Sequence, residues 1–224
     1  MLEHSFALDL NSMDCDRTVL RDLAEIYERA TLIPTGRHLT TVNTFTDQTE
    51  PLKPSLLKHL ALLISKEVCD GSGIDLIVGE EDKGAHITTA VALHLDKPFS
   101  LARWYPYHAT FRHPASVVVD VESEYFSGKL LLNGVPEGAR VLIVDDTLST
   151  GGTMIALIRA LLQRKACVVK AVSVVEKVNE SGRDRVQRET GVEVVTLLKL
   201  DTSGGRITIV TPPERKGQCA SGRR

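Results

Sequence analysis

Stretches of consecutive apolar residues alternate along this chain with stretches in which apolar residues recur every three or four positions. The first kind is typical of strands buried on both faces of a sheet, and the second is typical of helices. We predict strands over residues 74–78, 99–103, 141–144 and 167–175, and helices over residues 16–30, 55–68, 84–95, 154–162 and 183–189. A chain that alternates strand and helix in this way is expected to fold as α/β, with a parallel twisted sheet flanked by helices.

The segments between these elements carry weaker patterns. Residues rich in Thr, Val and other β-favouring side chains predict extended structure over 37–46, 125–132, 192–198 and 206–210. Residues 104–121 contain two prolines and predict an irregular segment, which in a compact α/β domain is typical of a functional loop. Residues 212–224 are polar with Gly and Pro, and we expect a disordered tail after a single domain over residues 1–211.

The composition excludes several classes of protein. With 224 residues, 42% hydrophobic and 25% charged, the chain is expected to be a soluble globular protein. No apolar stretch approaches the ~20 residues that span a bilayer, and no basic and apolar leader opens the sequence, so neither a membrane nor a secretory signal is expected. A net charge of -2 gives no reason to expect nucleic acid. Four scattered cysteines indicate reduced thiols and a cytoplasmic protein.

The strongest chemical signal follows the strand at 141–144. Asp145 and Asp146 stand at its carboxyl end, where open α/β sheets bind ligands. A Gly-rich turn, Ser149 to Thr153, then leads into a helix and exposes backbone N–H groups that suit a phosphate. The two carboxylates would repel that phosphate, so they suit sugar hydroxyls or a metal ion bound through water. The alternative is an ordinary strand–turn–helix with solvated acids.

This thirteen-residue stretch, 141–153, resembles the phosphoribosyl-pyrophosphate (PRPP) signature of type I phosphoribosyltransferases. The resemblance implies that Asp145 and Asp146 bind the ribose hydroxyls, act in catalysis and hold Mg²⁺ through water or those hydroxyls. It also implies that the turn holds the 5-phosphate through Ser149, Thr150, Gly151, Gly152 and Thr153. The stretch is neither a Walker A loop nor a dinucleotide fingerprint, because it lacks the Gly-Lys-Ser/Thr and G-x-G-x-x-G patterns.

A second loop follows the strand at 74–78. Lys83 is a cation on a tight turn there, and it suits a pyrophosphate; the alternative is an exposed acidic turn. The resemblance implies a pyrophosphate loop made of Glu81, Asp82, Lys83 and Gly84, with Lys83 catalytic and a cis peptide between Glu81 and Asp82. Arg103, at the end of the third strand, is also expected to reach pyrophosphate. Relatives often have Arg-Lys at this point, whereas Trp104 replaces the second cation here.

The dipeptide Glu124-Tyr125, followed by Gly128-Lys129, precedes the PRPP signature by the distance at which adenine-type relatives carry Glu-Tyr-Gly-Lys. The resemblance implies a flexible lid that excludes water and a catalytic role for Glu124. The alternative is a solvated edge strand. The segment Gly128 to Gly134 is more similar to archaeal hypoxanthine or adenine enzymes.

Residues that contact the base are implied by a resemblance of 42–47 to the hood of bacterial xanthine enzymes. The hood covers about residues 14–54, and its base-contacting positions fall on Thr40, Phe45 and Asp47, with Asp47 the candidate proton acceptor. Lys177, after the strand at 167–175, is expected to project toward the base. Its ammonium only donates hydrogen bonds, so it favours a 6-oxopurine over adenine.

The predicted function is transfer of the 5-phosphoribosyl group from PRPP to a ring nitrogen of a purine-like base, with Mg²⁺ and release of pyrophosphate. One alternative is the same chemistry on a modified base, such as a 7-deazapurine in nucleoside-antibiotic biosynthesis. Another is a PRPP-sensing regulator without catalysis, which the negative net charge and the short segment before the hood disfavour. The apolar stretch 99–111 predicts a homodimer.

Overall fold

The computed structural model describes residues 13–69, 73–104 and 116–210. Its helices are α1 (Met13–Glu28), α2 (Thr44–Asp47), α3 (Pro54–Glu67), α4 (Ala85–Leu95), α5 (Gly152–Gln163) and α6 (Gly182–Thr190). Its strands are β1 (Thr31–Thr35), β2 (His38–Val42), β3 (Leu76–Glu80), β4 (Phe99–Trp104), β5 (Val117–Glu122), β6 (Ser127–Leu132), β7 (Arg140–Leu148), β8 (Cys167–Lys177), β9 (Val194–Asp201) and β10 (Thr208–Val210). The tail predicted over 212–224 lies outside the described residues. None of the described helices has the length and apolar character that a bilayer crossing requires.

An eight-stranded sheet in the order β10-β9-β8-β7-β3-β4-β6-β5 forms the middle of the fold. The strands from β9 to β4 pair in parallel, as the alternation of strand and helix predicts. The edge strands β10 on one side and β6 and β5 on the other are antiparallel. The carboxyl ends of the parallel strands therefore meet along one rim.

The continuous apolar run of β7 is explained by two cores, one on each face of the sheet. Val141 and Ile143 point into the core beneath α5, whereas Leu142 and Val144 point into the core beneath α3 and α4. All four side chains have no solvent exposure. A strand covered on both faces has no position that favours a polar side chain, which is why alternation is absent here.

Two strands extend further than their apolar runs. The predicted strand ended at residue 144, but β7 continues to Leu148, and Asp145 pairs in register with Ser173 of β8. The predicted strand at 167–175 likewise continues to Lys177. The two strands stay paired as far as Leu148 and Glu176, so polar residues at the rim lie inside regular structure.

The hood contains a hairpin that the sequence pattern only partly indicated. Strands β1 and β2 pair in antiparallel register and turn at Gly36, which has φ +62°. The extended structure predicted over 37–46 is correct for β2 and wrong for residues 44–46. Asn43 caps a one-turn helix there, because its side-chain oxygen accepts from the N–H groups of Phe45 at 2.8 Å and Thr46 at 3.1 Å.

The irregular segment predicted over 104–121 is wrong where the structure describes it. Strand β5 pairs with β6 over its whole length, with Val119 opposite Leu130. Buried Val117, Val119 and Val121 alternate with exposed neighbours, so one face of the strand packs on the core and the other is exposed to solvent. Residues 105–115, which carry the rest of that prediction, lie outside the described residues.

Candidate active site

The turn between β7 and α5 is shaped by glycines. Gly151, the residue before the first turn of α5, has φ +79°, a conformation that L side chains rarely adopt. A Cβ added to Gly152 would lie 1.7 Å from the carbonyl oxygen of Glu122. Only glycine permits this backbone approach, and it places the amino end of α5 against the turn end of the β5–β6 hairpin. The helix dipole and unpaired N–H groups make this turn suitable for an anion.

Three buried carboxylates face one another beside this turn. Glu80 is 3% exposed, Asp145 3% and Asp146 6%, and one oxygen of each lies within 4.8 Å of the others. Burial, reinforced by the charge of Asp146, raises the pKa of Glu80 to about 7. Burial and the charges of Asp146 and Glu80 raise the pKa of Asp145 well above its usual range. Burial also raises the pKa of Asp146. The cluster therefore favours either protons or a cation.

Glu80 was not singled out by the sequence pattern. Its carboxylate accepts hydrogen bonds from the backbone N–H of Asp82 at 2.8 Å, that of Gly84 at 2.5 Å, and the indole Nε1–H of Trp104 at 2.6 Å. A signal for it existed: β3 and β7 were both predicted as buried strands of a parallel sheet. A carboxylate just after the apolar run of one strand is expected to lie at the same rim as Asp145 after the other.

The predicted cis peptide between Glu81 and Asp82 is wrong, because the structure contains no cis peptide at this link. In the trans arrangement the N–H of Asp82 is satisfied by the Glu80 carboxylate, and the N–H of Glu81 donates to Ala102 at 2.9 Å. The Glu81 carboxylate pairs with Arg103 at 2.7 Å.

Lys83 forms an ion pair and a cation–π contact rather than pointing into solvent. Its Nζ lies 2.7 Å from Asp47 of the hood and 5.5 Å from the ring centroid of Tyr125. Burial would raise the pKa of Asp47, but hydrogen bonds from Lys83, Thr46 and the Asn43 backbone outweigh it, so this pKa lies below its usual value. Asp47 is therefore a poor proton acceptor in this arrangement.

Lys177 and Glu124 form a buried ion pair across the site. The Lys177 Nζ lies 2.9 and 2.7 Å from the two Glu124 oxygens and 2.9 Å from the carbonyl of Leu39. The Glu124 carboxylate also accepts from Thr40 at 2.5 Å and from Ser149. Burial opposes its ionisation, but Lys177 and these hydroxyls lower the pKa of Glu124. One carboxylate thus joins the hood, the lid segment, the phosphate turn and the end of β8.

One cavity brings most of the sequence-predicted residues together. It is lined by Thr40, Lys83, Glu124, Asp145, Asp146, Ser149, Thr150, Gly151, Gly152, Thr153 and Lys177, and also by Glu80, Trp104 and Tyr125. Several other predicted residues lie beside it rather than on its wall. Glu81, Asp82, Gly84 and Arg103 belong to the neighbouring loop and strand end, and Asp47 reaches the cavity only through Lys83.

Phe45, predicted to contact the base, is placed elsewhere by the structure. Its side chain has no solvent exposure and packs edge-on against His86, with ring centroids 4.9 Å apart. Because Asn43 caps α2 and residues 44–47 are helical rather than extended, the side chain of Phe45 points into the core beneath the hood. The structure therefore corrects this expectation: Phe45 supports the hood from below and does not line the cavity.

A family model described as a phosphoribosyl transferase domain matches residues 49–199. The chain belongs to the phosphoribosyltransferase family. This phosphoribosyltransferase is 37% identical over 187 residues to the hypoxanthine/guanine phosphoribosyltransferase of Methanocaldococcus infernus, covering 84% of this chain and 98% of the relative. It is 36% identical over 188 residues to that of Methanotorris igneus, covering 84% and 99%. These matches confirm the predicted enzyme class and its purine branch, and they favour an enzyme over a PRPP-sensing regulator.

Solved structures confirm the predicted fold. The adenine phosphoribosyltransferase of Rhodothermus marinus superimposes with a TM-score of 0.65 at 26% identity, covering 82% of this chain and 99% of the other. The adenine phosphoribosyltransferase of Saccharomyces cerevisiae, solved with an imino-altritol bisphosphate and adenine, gives a TM-score of 0.64 at 23% identity, covering 81% and 99%. The parallel sheet flanked by helices is thus the architecture of the type I phosphoribosyltransferases.

Proposed function

We propose that this phosphoribosyltransferase transfers the 5-phosphoribosyl group of PRPP to a ring nitrogen of a 6-oxopurine and releases pyrophosphate. The observation that carries the proposal is a single cavity lined by a donor-only ammonium, Lys177, and by paired aspartates beside an anion-binding turn. The names of the relatives, hypoxanthine/guanine phosphoribosyltransferases, support the same class of base.

The ribose and its phosphate are held by β7 and the turn after it. Asp145 and Asp146 accept hydrogen bonds from the ribose hydroxyls and fix the sugar for attack at C1. The 5-phosphate binds the backbone N–H groups at the start of α5 together with the hydroxyls of Ser149, Thr150 and Thr153. Catalysis in this design is mainly orientation and electrostatic stabilisation, because the transition state carries positive charge on the sugar.

Magnesium fits the carboxylate cluster. Oxygen atoms of Glu80, Asp145 and Asp146 lie within 4.8 Å of one another, and hard cations prefer such ligands. Asp145 and Asp146 would hold the ion, directly or through water and the ribose hydroxyls. When bound, it would neutralise charge on the departing pyrophosphate.

The pyrophosphate is bound by the loop from Glu81 to Gly84 with Arg103 nearby. Lys83 lies on the cavity wall, and it exchanges its partner Asp47 for the pyrophosphate. The exchange is favourable because a phosphate oxygen offers a stronger charge than one carboxylate that already accepts from Thr46 at 2.5 Å and Asn43 at 3.1 Å.

The base lies between the hood and Lys177. Its O6 accepts a hydrogen bond from the Lys177 ammonium, and Thr40 lies on the hood side of the same wall. When Lys177 turns to O6, Glu124 loses its cationic partner and becomes more basic. Glu124 then takes the proton that leaves the attacking ring nitrogen. We assign this role to Glu124 rather than Asp47, because Glu124 lines the cavity and Asp47 does not.

Assembly and location form the last part of the proposal. The homodimer proposed from the apolar stretch 99–111 would cover Phe99, whose side chain is 43% exposed at the start of β4. Scattered cysteines with no spacing typical of disulfide or zinc sites support the cytoplasm, and nucleic acid and membranes are not proposed as partners.

A base panel tests the proposed function directly. Purified protein with PRPP and MgCl₂ is offered hypoxanthine, guanine, xanthine, 7-deazaguanine and adenine, and nucleotide formation is followed by chromatography. We expect nucleotide from a 6-oxo base, loss of turnover in EDTA, and recovery on adding Mg²⁺. Adenine turnover above that of every 6-oxo base, or no nucleotide with any base, contradicts the proposal. Strong preference for 7-deazaguanine would place the enzyme in modified-base synthesis.

A further inference from the structure

Trp104 joins two parts of the site that are far apart in sequence. It ends β4, and its indole Nε1–H donates to Glu80 at 2.6 Å while its backbone N–H donates to Glu81 at 2.7 Å. Glu80 is the last residue of β3, and Glu81 is the first residue of the pyrophosphate loop. The side chain of this one residue therefore fixes the acid to which the loop amides of Asp82 and Gly84 are also bonded.

The indole ring also contacts the lid segment. Phe126 packs edge-on against it, with ring centroids 4.7 Å apart and an interplanar angle of 74°. Phe126 is 37% exposed, so its ring is only partly covered by the protein. A Cβ at Gly128 would lie 2.5 Å from the Phe126 ring, and glycine there lets the ring lie close over β6. The adjacent Tyr125 hydroxyl lies 3.4 Å from Asp82.

A lysine in place of Trp104 would offer a charge to pyrophosphate but no ring for Phe126. Indole carries no charge, donates one hydrogen bond and presents an aromatic face and edge. We propose that Trp104 is a positioning residue that ties the lid to the pyrophosphate loop of the same subunit, so that binding of pyrophosphate and movement of the lid are coupled. This inference rests on the proposed transfer from PRPP.

Pyrophosphate binding and lid movement are coupled because the Glu80 carboxylate accepts hydrogen bonds from both the pyrophosphate loop and Trp104. The N–H groups of Asp82 and Gly84 are the loop donors that an incoming pyrophosphate needs, and in this structure they point to the Glu80 carboxylate. When they turn to pyrophosphate, Glu80 loses two of its three donors and its bond with Trp104 must readjust. The indole then moves against Phe126, and the lid responds.

Fluorescence offers a direct test, because Trp104 is the only tryptophan of the chain. The wild-type protein is titrated with PRPP or inorganic pyrophosphate in MgCl₂, and emission and acrylamide quenching are recorded beside calorimetric binding. We expect a saturable change in emission that follows binding. The change should shrink at least severalfold in Phe126→Ala and remain in the control Val118→Ala, an exposed position on β5. Binding without any change in emission overturns the proposal.

Kinetics separate this role from a merely structural one. Trp104→Phe keeps an aromatic ring but lacks the donor, and we expect KM for PRPP to rise about tenfold with kcat less affected, as for loss of one hydrogen bond to a charged acceptor. Phe126→Ala should raise PRPP hydrolysis in the absence of base severalfold, because the lid closes less tightly. Circular dichroism confirms that both variants fold.

The two proposals fail in different ways. If nucleotide forms normally but Trp104→Lys matches the wild type in KM for PRPP and in PRPP hydrolysis without base, the proposal on Trp104 is wrong and the transferase function stands. If no base is phosphoribosylated and neither PRPP nor pyrophosphate binds, the function itself fails.

Discussion

The ammonium of Lys177 lies 2.7 Å from a carboxylate oxygen of Glu124, and the two side chains are only 2% and 5% exposed. Fifty-three positions separate them in sequence. The pair joins the end of β8, where the base is proposed to bind, to the segment proposed as the lid. A buried charge that loses its partner is costly, so the base must supply Lys177 with a new acceptor when the pair opens. Base choice and lid position are therefore linked through one ion pair.

Replacing Lys177 with Ala or Met should remove the preference for 6-oxopurines. The site is built to donate to O6, and sites of this kind discriminate by up to ~10⁴-fold against analogues that leave the donor unpaired. We expect the ratio of kcat/KM for hypoxanthine and adenine to collapse toward one, while calorimetric binding of PRPP persists. Lys165→Ala is the control, since its pair with Glu137 is exposed on the opposite rim. An unchanged ratio would show that Lys177 does not contact the base.

Low pH should weaken the ion pair between Glu124 and Lys177, because Glu124 becomes protonated. Its pKa is lower in the folded protein than its ordinary value of 4.5, because Lys177, Ser149 and Thr40 outweigh the burial that raises it. The ionised form therefore contributes stability that is complete above about pH 4.5 and is lost as pH falls through the folded pKa.

The comparison of wild type with Glu124→Gln isolates this effect. At pH 7 the variant leaves Lys177 with a weaker partner, and we expect its free energy of unfolding to fall by about 3 kcal/mol. Melting curves between pH 3.5 and 7 should show the gap between the two proteins constant above pH 5 and closing below pH 4.5. A gap that widens in acid would mean that Glu124 is not the ionised partner.

Changing both Asp145 and Asp146 to Asn should separate activity from stability. The amides keep the shape of the site but lose the negative charge and exchange one acceptor oxygen of each side chain for an NH₂ donor. Binding of the ribose hydroxyls is therefore weakened, and kcat/KM is expected to fall by at least ~100-fold. Burial raises the pKa of both acids, and the charges of Asp146 and Glu80 raise that of Asp145 further. Because the ionised acids cost stability at pH 8, the melting temperature of the variant at that pH should be equal to or above that of the wild type. Asp120→Asn, at an exposed pair with Lys129, is the control. Near-normal turnover would refute the ribose assignment.

Gly152→Ala should destabilise the protein. The new methyl group would lie 1.7 Å from the carbonyl oxygen of Glu122, which is backbone and cannot rotate away. We expect a loss of about 1–3 kcal/mol in the free energy of unfolding, together with a rise in KM for PRPP. Gly204→Ala, whose nearest neighbour would be 4.0 Å away, is the matched control and should be close to neutral in urea titrations.

The proposed homodimer can be tested by sedimentation. Wild-type protein at micromolar concentration should sediment as a dimer, and Phe99→Glu should shift it toward monomer because the exposed ring on β4 is replaced by a charge. A wild-type monomer under these conditions contradicts the proposed assembly.

Local signals in the sequence predicted the elements that carry the site. The run Val141–Val144 is apolar at every position because both faces of β7 are covered, and the acids after it come at the rim that parallel strands share. The turn to α5 was equally clear from its run of Ser, Thr and Gly, although the close approach to Glu122 that requires Gly152 is a contact across the fold. Strand β1 was missed because its five residues include Pro34 and lie mostly at the surface, which leaves no period to detect.

Contacts made across the fold could not be predicted in this way. Nothing near Glu80 in the chain indicates that Trp104 will donate to it, since the two meet only because β3 and β4 are neighbours. Phe45 was assigned to the base from its position in the hood, but the Asn43 cap turns it inward. Each of these outcomes depends on which strand lies beside which, information that a single local pattern does not contain.

The parallel order of the central strands has a practical consequence for engineering. The groups proposed to bind substrate or act in catalysis lie toward the carboxyl rim, so an insertion at an exposed turn of the amino rim, away from Phe99, should not reach the cavity. The turn before β7 contains Gly138, which has open space around it, and the exposed pair of Glu137 and Lys165. A reporter domain or an affinity tag inserted at Gly138 should leave turnover intact, and the same rim offers a place to attach the enzyme to a solid support with its cavity facing outward.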